Sequence, residues 1–232
     1  MKTAKMASHP LPSSERLARG ILRFLGTRVA LGRVSVIIGS VVPALTRSLT
    51  VAVRPYSREM MVVTSREDFG FRLAVDVPSA LGADRIANVT AAWTLRRRPV
   101  AVADFGSATT ISIMDGSAFR GGAILPGIGM MRDALFRKTA RLPLAPLHAE
   151  VCAVGMNTGA AIRSGVVLGT AGAVEKIVLN AEKELGCRLS LVVTGGNASL
   201  VLPYIRRAHH FTPDLTLQGY RLIFLRRLDL SS

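Results

Sequence analysis

The sequence predicts an α/β fold, and three observations predict it. Short β-branched runs alternate with stretches whose apolar residues recur at helical spacing, one pair of runs is joined by a tight Asp-Gly turn, and 49% of the 232 residues are apolar. Alternation of this kind builds a sheet covered by helices. The apolar share suffices for a core, as one domain or two modest ones.

The elements follow in order. Ser13 to Gly26, SSERLARGILRFLG, puts Leu17, Ile21, Phe24 and Leu25 on one helical face between a serine and a glycine cap. RVSVIIGSVVPAL reads as a buried strand closing on Gly and Pro, LTRSLTVAVRPY as a helix and EMMVVTS as a second strand. VDVPSALGADRIANVTAAWTLRRR begins extended and turns helical after Gly82, with Ile86, Val89 and Trp93 at core spacing. VAVADFGSATT, Val100 to Thr110, is an apolar strand running into a turn, and ISIMDGSAFRGGAI after it is a hairpin about Asp115-Gly116. Helices are expected over Ile128–Ala140 and, with glycine spacing, over Asn157–Gly186; Leu189–Val193 is a strand leading into TGG and further helix. Gly165 and Gly169, four apart, predict close backbone contact. The predicted division is a segment 1–12, a first domain 13–98 and a second domain 99–232, with the boundary near Pro99.

Composition narrows the function. The longest apolar run, around VSVIIGSVVPAL, is too short to span a bilayer, and the basic, hydroxyl-rich first twenty residues lack the apolar block of a secretory signal. Cys152 and Cys187 share no metal-ligand spacing and fit free thiols in a cytoplasmic protein. The net charge of +15 fits either a nucleic-acid or anionic-lipid surface or scattered solvated arginines, the latter favoured because no aromatic residues interleave with them. LRRRP at Leu95–Pro99 and the C-terminal FLRRL read as solvated helix ends.

Three constellations carry chemistry. Asp104 with Gly106, Ser107, Thr109 and Thr110 delivers a carboxylate beside a hydroxyl-rich bend, suited to a cation or phosphates, or simply to shaping a turn. In LGADRIAN, Asp84 and Arg85 stand side by side at a helix start. They could grip an anionic, hydroxyl-bearing substrate, the guanidinium on its carboxylate and Asp84 accepting a proton; alternatively Asp84 only complements the helix dipole. Glycine turns at Gly121–Gly129 and at Val192–Ala198, which holds Gly195 and Gly196, permit close approach of a flat ligand or are ordinary loops.

The order SVVPALTRSL, GADRIAN, DFGSATT, GGAILPGIGM, NTGAAIRSGVVLG, TGGNA and PDLTLQGYRLI resembles the type III pantothenate kinases, including their Bvg accessory factor-like branch, over about Ser14 to Leu225. The resemblance implies the acetate and sugar kinase, Hsp70 and actin-like (ribonuclease H-like) fold, two related α/β domains closing on ATP. It implies phosphorylation of pantothenate with ATP, Mg²⁺ and a monovalent cation, K⁺ or NH₄⁺, by a cytoplasmic homodimer. Asp84 would be the general base and Gly82, Ala83 and Arg85 the rest of the substrate element. Asp104 would bind the monovalent cation; Ser107, standing where Thr is common, together with Gly106, Gly195 and Gly196, would face ATP; and Thr158 would contact pantothenate.

Two departures qualify that expectation. The family opens with a strand and a D-x-G-N-T phosphate loop, and no such motif precedes Ser14; Val75 stands seven residues before Gly82, where many members have Tyr. Losing one charge-stabilising donor costs roughly 3–4 kcal/mol of transition-state binding, so little kinase activity is expected from these residues alone. A first domain lacking its leading strands is expected to be poorly soluble or to associate. An alternative reading is a catalytically impaired homologue acting as a basic nucleic-acid-binding or regulatory protein.

Overall fold

The computed structural model describes residues 34–40 and 42–229, together with Arg16, residues 19–21 and Arg23. The helix expected over Ser13–Gly26 lies mostly outside the described residues, and within it Arg16, Arg19, Gly20, Ile21 and Arg23 are helical.

Strand β1 (Val34–Ile38), helix α1 (Pro43–Val53) and strand β2 (Ser57–Val62) form a right-sized βαβ unit, its two strands parallel with Ile38 opposite Val62. Pro43 opens α1, where its missing N–H costs nothing, and Ser40 accepts the Val42 N–H at 3.1 Å in the turn before it.

The main sheet has six strands. They are β3 (Arg72–Leu73), β4 (Val100–Phe105), β5 (Ala108–Met114), β6 (Ala118–Pro126), β7 (Ser190–Thr194) and β8 (His209–Phe211), in the spatial order β3-β6-β5-β4-β7-β8. The pairs β4–β5 and β5–β6 are antiparallel, whereas β4–β7, β7–β8 and β3–β6 are parallel. The expected hairpin is therefore β5–β6. Asp115 makes its turn, one carboxylate oxygen accepting from the backbone of Ser117 and Ala118 at 2.8 and 2.9 Å. Short edge strands β3 and β8 have too few residues for a readable alternation, and the sequence reading omitted both. The stretch Val75–Leu81, expected to be extended, is irregular apart from a 3₁₀ turn at Pro78–Ala80.

Helices cover both faces. Against one lie α2 (Ala83–Arg96) and α7 (Leu215–Asp229), with Val89, Ala91, Ala92 and Leu215 packed on Val100, Val102 and Val192. Against the other lie α3 (Ile128–Lys138), α4 (Thr158–Arg163) and α5 (Gly169–Leu185), with Ile162, Val174 and Val178 packed on Ala101, Phe105, Ile111 and Val193. A short helix α6 (Ala198–Val201) follows β7. Alternate residues of β4 thus enter opposite cores, as a central strand requires. A third cluster, Met61, Val63, Phe69, Ile86, Ala87 and Ile223, ties the small sheet to α2 and α7. Burying each large side chain there is worth about 1.5–3 kcal/mol.

Helix α2 ends where the sequence reading places it. Arg97 takes the left-handed conformation (φ 52°), its N–H bonds to Trp93 O at 2.8 Å, and Arg97 and Arg98 are exposed. The C-terminal arginines are less free than expected: Arg226 and Arg227 pair with Asp68 and Glu67 at 3.1 and 3.8 Å. The expected contact at Gly165 and Gly169 is corrected. A Cβ built on either meets nothing within 4 Å. Between α4 and α5 the chain forms a π-helical turn, Ser164–Leu168, and Gly165 forms part of the wall of a groove instead of touching a neighbouring backbone.

Glu182 is the one charged side chain sunk in the core among the described residues, at 7% exposure. It accepts from Arg207, and from the Leu189 N–H at 2.8 Å, which fastens α5 to the start of β7. The Arg207 bonds foremost, then the Leu189 N–H, outweigh burial and hold its carboxyl below the usual range. A depressed carboxyl stabilises the fold above the unfolded-state pKa, and that contribution is lost as pH falls through the folded value. Glu182→Gln is therefore expected to melt about 3–12 °C below wild type at pH 7, the cost of one charged hydrogen bond. The gap should close as melting is repeated toward pH 3.

Candidate active site

Helix α2 starts at Gly82, whose extended conformation (φ −61°, ψ 131°) turns the chain, and whose carbonyl accepts the Ile86 N–H at 3.2 Å. Ala83 is buried. Asp84 in the first turn is exposed, favoured there by the helix dipole, and its Oδ1 accepts the Arg85 N–H at 2.8 Å. Arg85 reaches back over the hairpin. Its Nε donates to Ser112 Oγ at 3.0 Å, its Nη2 to Gly121 O at 3.2 Å, and the guanidinium lies 5.4 Å from the centroid of the Phe119 ring. Two of its nitrogens thus serve the hairpin, so the guanidinium is rigidly placed beside Asp84. Val75 lies at the same place, 3.6 Å from where a Cβ of Gly121 would stand.

Asp104 is the last residue but one of β4, in register with Thr194 of β7. Its Oδ2 accepts from Asn88 Nδ2 at 2.9 Å. Burial, opposed by that bond and reinforced by the charge of Asp84, pushes its carboxyl up from the usual range. A half-buried carboxylate with a second negative charge nearby is a place where a cation would be favoured. Tyr220 on α7 feels the same field: burial and Asp84 both push its phenol up.

The turns after β4 and β7 pack together. Asn197 N donates to Phe105 O at 3.0 Å and Asn197 Nδ2 to Gly106 O at 3.2 Å, while Gly127 N donates to Ser107 O at 3.2 Å. Gly195 is held at φ +104°, where a Cβ would come within 2.5 Å of Phe105 N and 2.6 Å of Asp104 Oδ1. A side chain cannot occupy that space, which is what a TGG turn at this position provides. Gly196 next to it is exposed. Gly106, Ser107 and Asn197 line one side of a 530 Å³ cavity, and Arg137 and Lys138 from the last turn of α3 line it as well. Backbone turns, a hydroxyl and two cations suit the phosphates of a nucleotide.

The fold thus brings Asp84, Arg85 and Asp104 into one electrostatic neighbourhood and sets Gly106, Ser107, Gly195 and Gly196 beside it. Thr158 sits elsewhere. It opens α4, after Asn157 caps the helix by accepting the Ala160 N–H at 2.9 Å, and lines an apolar groove of 810 Å³ with Met130, Met131, Leu135 and Ile162. Sequence reasoning missed Asn88, Asn197, Thr216 and Tyr220. Only Asn88 carried a signal: it stands one helical turn after Asp84, on the same face. Among the described residues no three His, Cys, Asp or Glu side chains cluster as a metal site, and no helix is long and apolar enough to cross a membrane. A hard cation here would lean on Asp104, backbone and substrate oxygens.

Sheet order, strand directions and paired glycine turns give a mixed α/β fold of the acetate and sugar kinase, Hsp70 and actin-like type. A Campylobacter jejuni protein described as a Baf family transcriptional activator superposes with a TM-score of 0.61 at 22% identity, covering 84% of each chain. The family model for type III pantothenate kinase matches residues 3–180. The type III pantothenate kinase of Roseiflexus sp. is 43% identical over 81% of this chain and 74% of its own, and that of Acidiphilium cryptum 38% identical over 82% and 72%. The chain belongs to the type III pantothenate kinase family.

Proposed function

We propose that the protein phosphorylates the hydroxyl of pantothenate with ATP, giving phosphopantothenate for coenzyme A synthesis, and that Asp84 and Asp104 divide the work. The observation that carries this is the pairing of an exposed carboxylate at a helix start with a half-buried one near the end of β4, which feels the charge of the first and lies beside the glycine turns. Asp84 takes the proton of the pantothenate hydroxyl. As it does so an O–P bond forms to the γ-phosphorus of ATP and the bond to the β–γ bridging oxygen breaks, releasing ADP. Gly82, Ala83 and Arg85 hold the substrate against that carboxylate. Gly106, Ser107, Gly195 and Gly196 receive ATP. Asp104 holds a monovalent cation, K⁺ or NH₄⁺, and Mg²⁺ travels with the nucleotide; both neutralise phosphate charge when bound.

Two copies complete the site. The groove carrying Thr158 is lined by Met130, 54% accessible, with Met131, Leu135 and Ile162, and an apolar face of this kind suits a second copy of the chain that brings Thr158 to pantothenate. Residues 13–98 and 99–232 are proposed as the two closing units, although β3 and α2, both before Pro99, pack on the second sheet. Free Cys152 and Cys187 fit a cytoplasmic setting.

Incubation with ATP, Mg²⁺, K⁺ and pantothenate, read by mass spectrometry, should give phosphopantothenate and ADP in equal amounts. ADP without phosphopantothenate would refute the assignment of substrate.

Asp104 also makes a prediction about stability. A carboxyl raised in the folded state favours folding while protonated, and that advantage is lost as pH rises through its folded value, so ionised Asp104 costs stability at neutral pH. Asp104→Asn, which keeps an acceptor for Asn88, is expected to melt above wild type at pH 8 in K⁺-free buffer. A lower melting temperature would contradict the electrostatic picture.

A further inference from the structure

We propose that Asn88, itself anchored by Thr216, is a positioning residue that fixes the Asp104 carboxylate with one oxygen tied down and the other aimed at the glycine turns. The inference rests on the reading of Asp104 as a cation ligand.

Asn88 is 1% exposed, so both ends of its amide need partners. Nδ2 donates to Asp104 Oδ2 at 2.9 Å, and Oδ1 accepts from Thr216 Oγ1 at 2.7 Å. The amide has only one orientation that satisfies both. An ionised carboxylate can only accept, so the NH₂ must face Asp104, which leaves the carbonyl oxygen for the Thr216 hydroxyl. With Oδ2 occupied, Oδ1 lies 2.6 Å from the Cβ position of Gly195 and 3.6 Å from that of Gly106, between the two turns.

The anchor is built into helix packing. A Cβ on Gly219 would fall 1.9 Å from Ala87 O, so α7 meets the backbone of α2 at the residue before Asn88. Thr216 lies three residues before Gly219, hence on the same face of α7. Leu215 and Ile223, at 0% and 1% exposure, bury that face. The C-terminal helix therefore acts on the geometry of the Asp104 carboxylate through Asn88. Asp84 and Asn88 share α2, so one rigid element places the proposed base and steers the proposed cation ligand.

The test measures the K⁺ concentration giving half-maximal stabilisation in thermal melts, and half-maximal rate of phosphopantothenate formation, for the full chain. Asn88→Leu, similar in volume but unable to donate, is expected to raise both half-saturating concentrations about ten-fold, the scale of a lost bond to a charged group. KM for pantothenate should change less than two-fold. Thr216→Val should raise them about three-fold and Thr216→Ser should restore the wild-type value, a contrast that stands even if Asn88→Leu does not fold. A purely structural role would reduce the active fraction and leave half-saturating K⁺ unchanged, and that result in a folded variant overturns the proposal. Should wild type show no response to K⁺, the cation reading of Asp104 falls separately. The relay is then judged by rate: a kcat of Asn88→Leu within two-fold of wild type overturns it, and a ten-fold loss upholds it.

Discussion

Asp84→Asn should lower the rate of phosphopantothenate formation by about 10²–10⁴-fold, the usual contribution of a positioned general base. The measurement is single-turnover, with enzyme in excess, so that it holds however slow the wild type is. Asp84 is exposed, and among the described residues its side chain bonds to the N–H of its own neighbour Arg85. The amide oxygen of asparagine can take over that bond, so the fold should be retained and the melting temperature should move by less than a degree or two. KM for pantothenate should change little, because asparagine still accepts a hydrogen bond from the substrate hydroxyl. A loss confined to kcat identifies a group that acts in the transition state. An equal loss in binding would instead make Asp84 a substrate anchor.

Gly195→Ala should be among the most damaging small substitutions near the site. The residue sits at φ +104°, which alanine tolerates poorly, and its new methyl would stand 2.5 Å from Phe105 N and 2.6 Å from Asp104 Oδ1. Neither neighbour can yield cheaply: Phe105 is fully buried and Asp104 is held by Asn88. Backbone strain alone costs about 1–3 kcal/mol. With the clash, a loss of about 3 kcal/mol is expected, or about 6–12 °C in Tm for a chain of this length. The β7 turn must then withdraw from the β4 turn, taking Asn197 from Phe105 and Gly106. Affinity for ATP should fall along with stability. Gly186→Ala is the control. It too has a positive φ (+63°), but nothing lies within 4 Å of its Cβ position, so only the strain should register.

The parts of the fold that were legible in the sequence are those with local chemistry. The α2 start at Gly82, the Asp115 turn, the β4 strand and the end of α2 in the LRRRP run each follow from residues adjacent in the chain. The candidate site residues Asp84, Asp104 and the glycines could be named from the sequence because they stand in short motifs. What was not legible depends on distant pairs. The Thr216–Asn88 bond spans 128 residues and Asn197–Gly106 spans 91, and no periodicity records such contacts. Gly165 and Gly169 show the converse error. A four-residue glycine spacing suggested close packing, but the π-helical turn leaves their missing side chains facing open space.

The central claim is that Asp104 serves catalysis through a monovalent cation beside Asp84. It is tested most directly by comparing phosphopantothenate formation in K⁺ and in Na⁺ at equal ionic strength, for wild type and Asp104→Asn. Wild type is predicted to form product in K⁺ and about ten-fold more slowly or not at all in Na⁺, with Asp104→Asn slow and indifferent to the ion. Equal rates in the two salts for wild type, or an Asp104→Asn variant that keeps the K⁺ response, would contradict it.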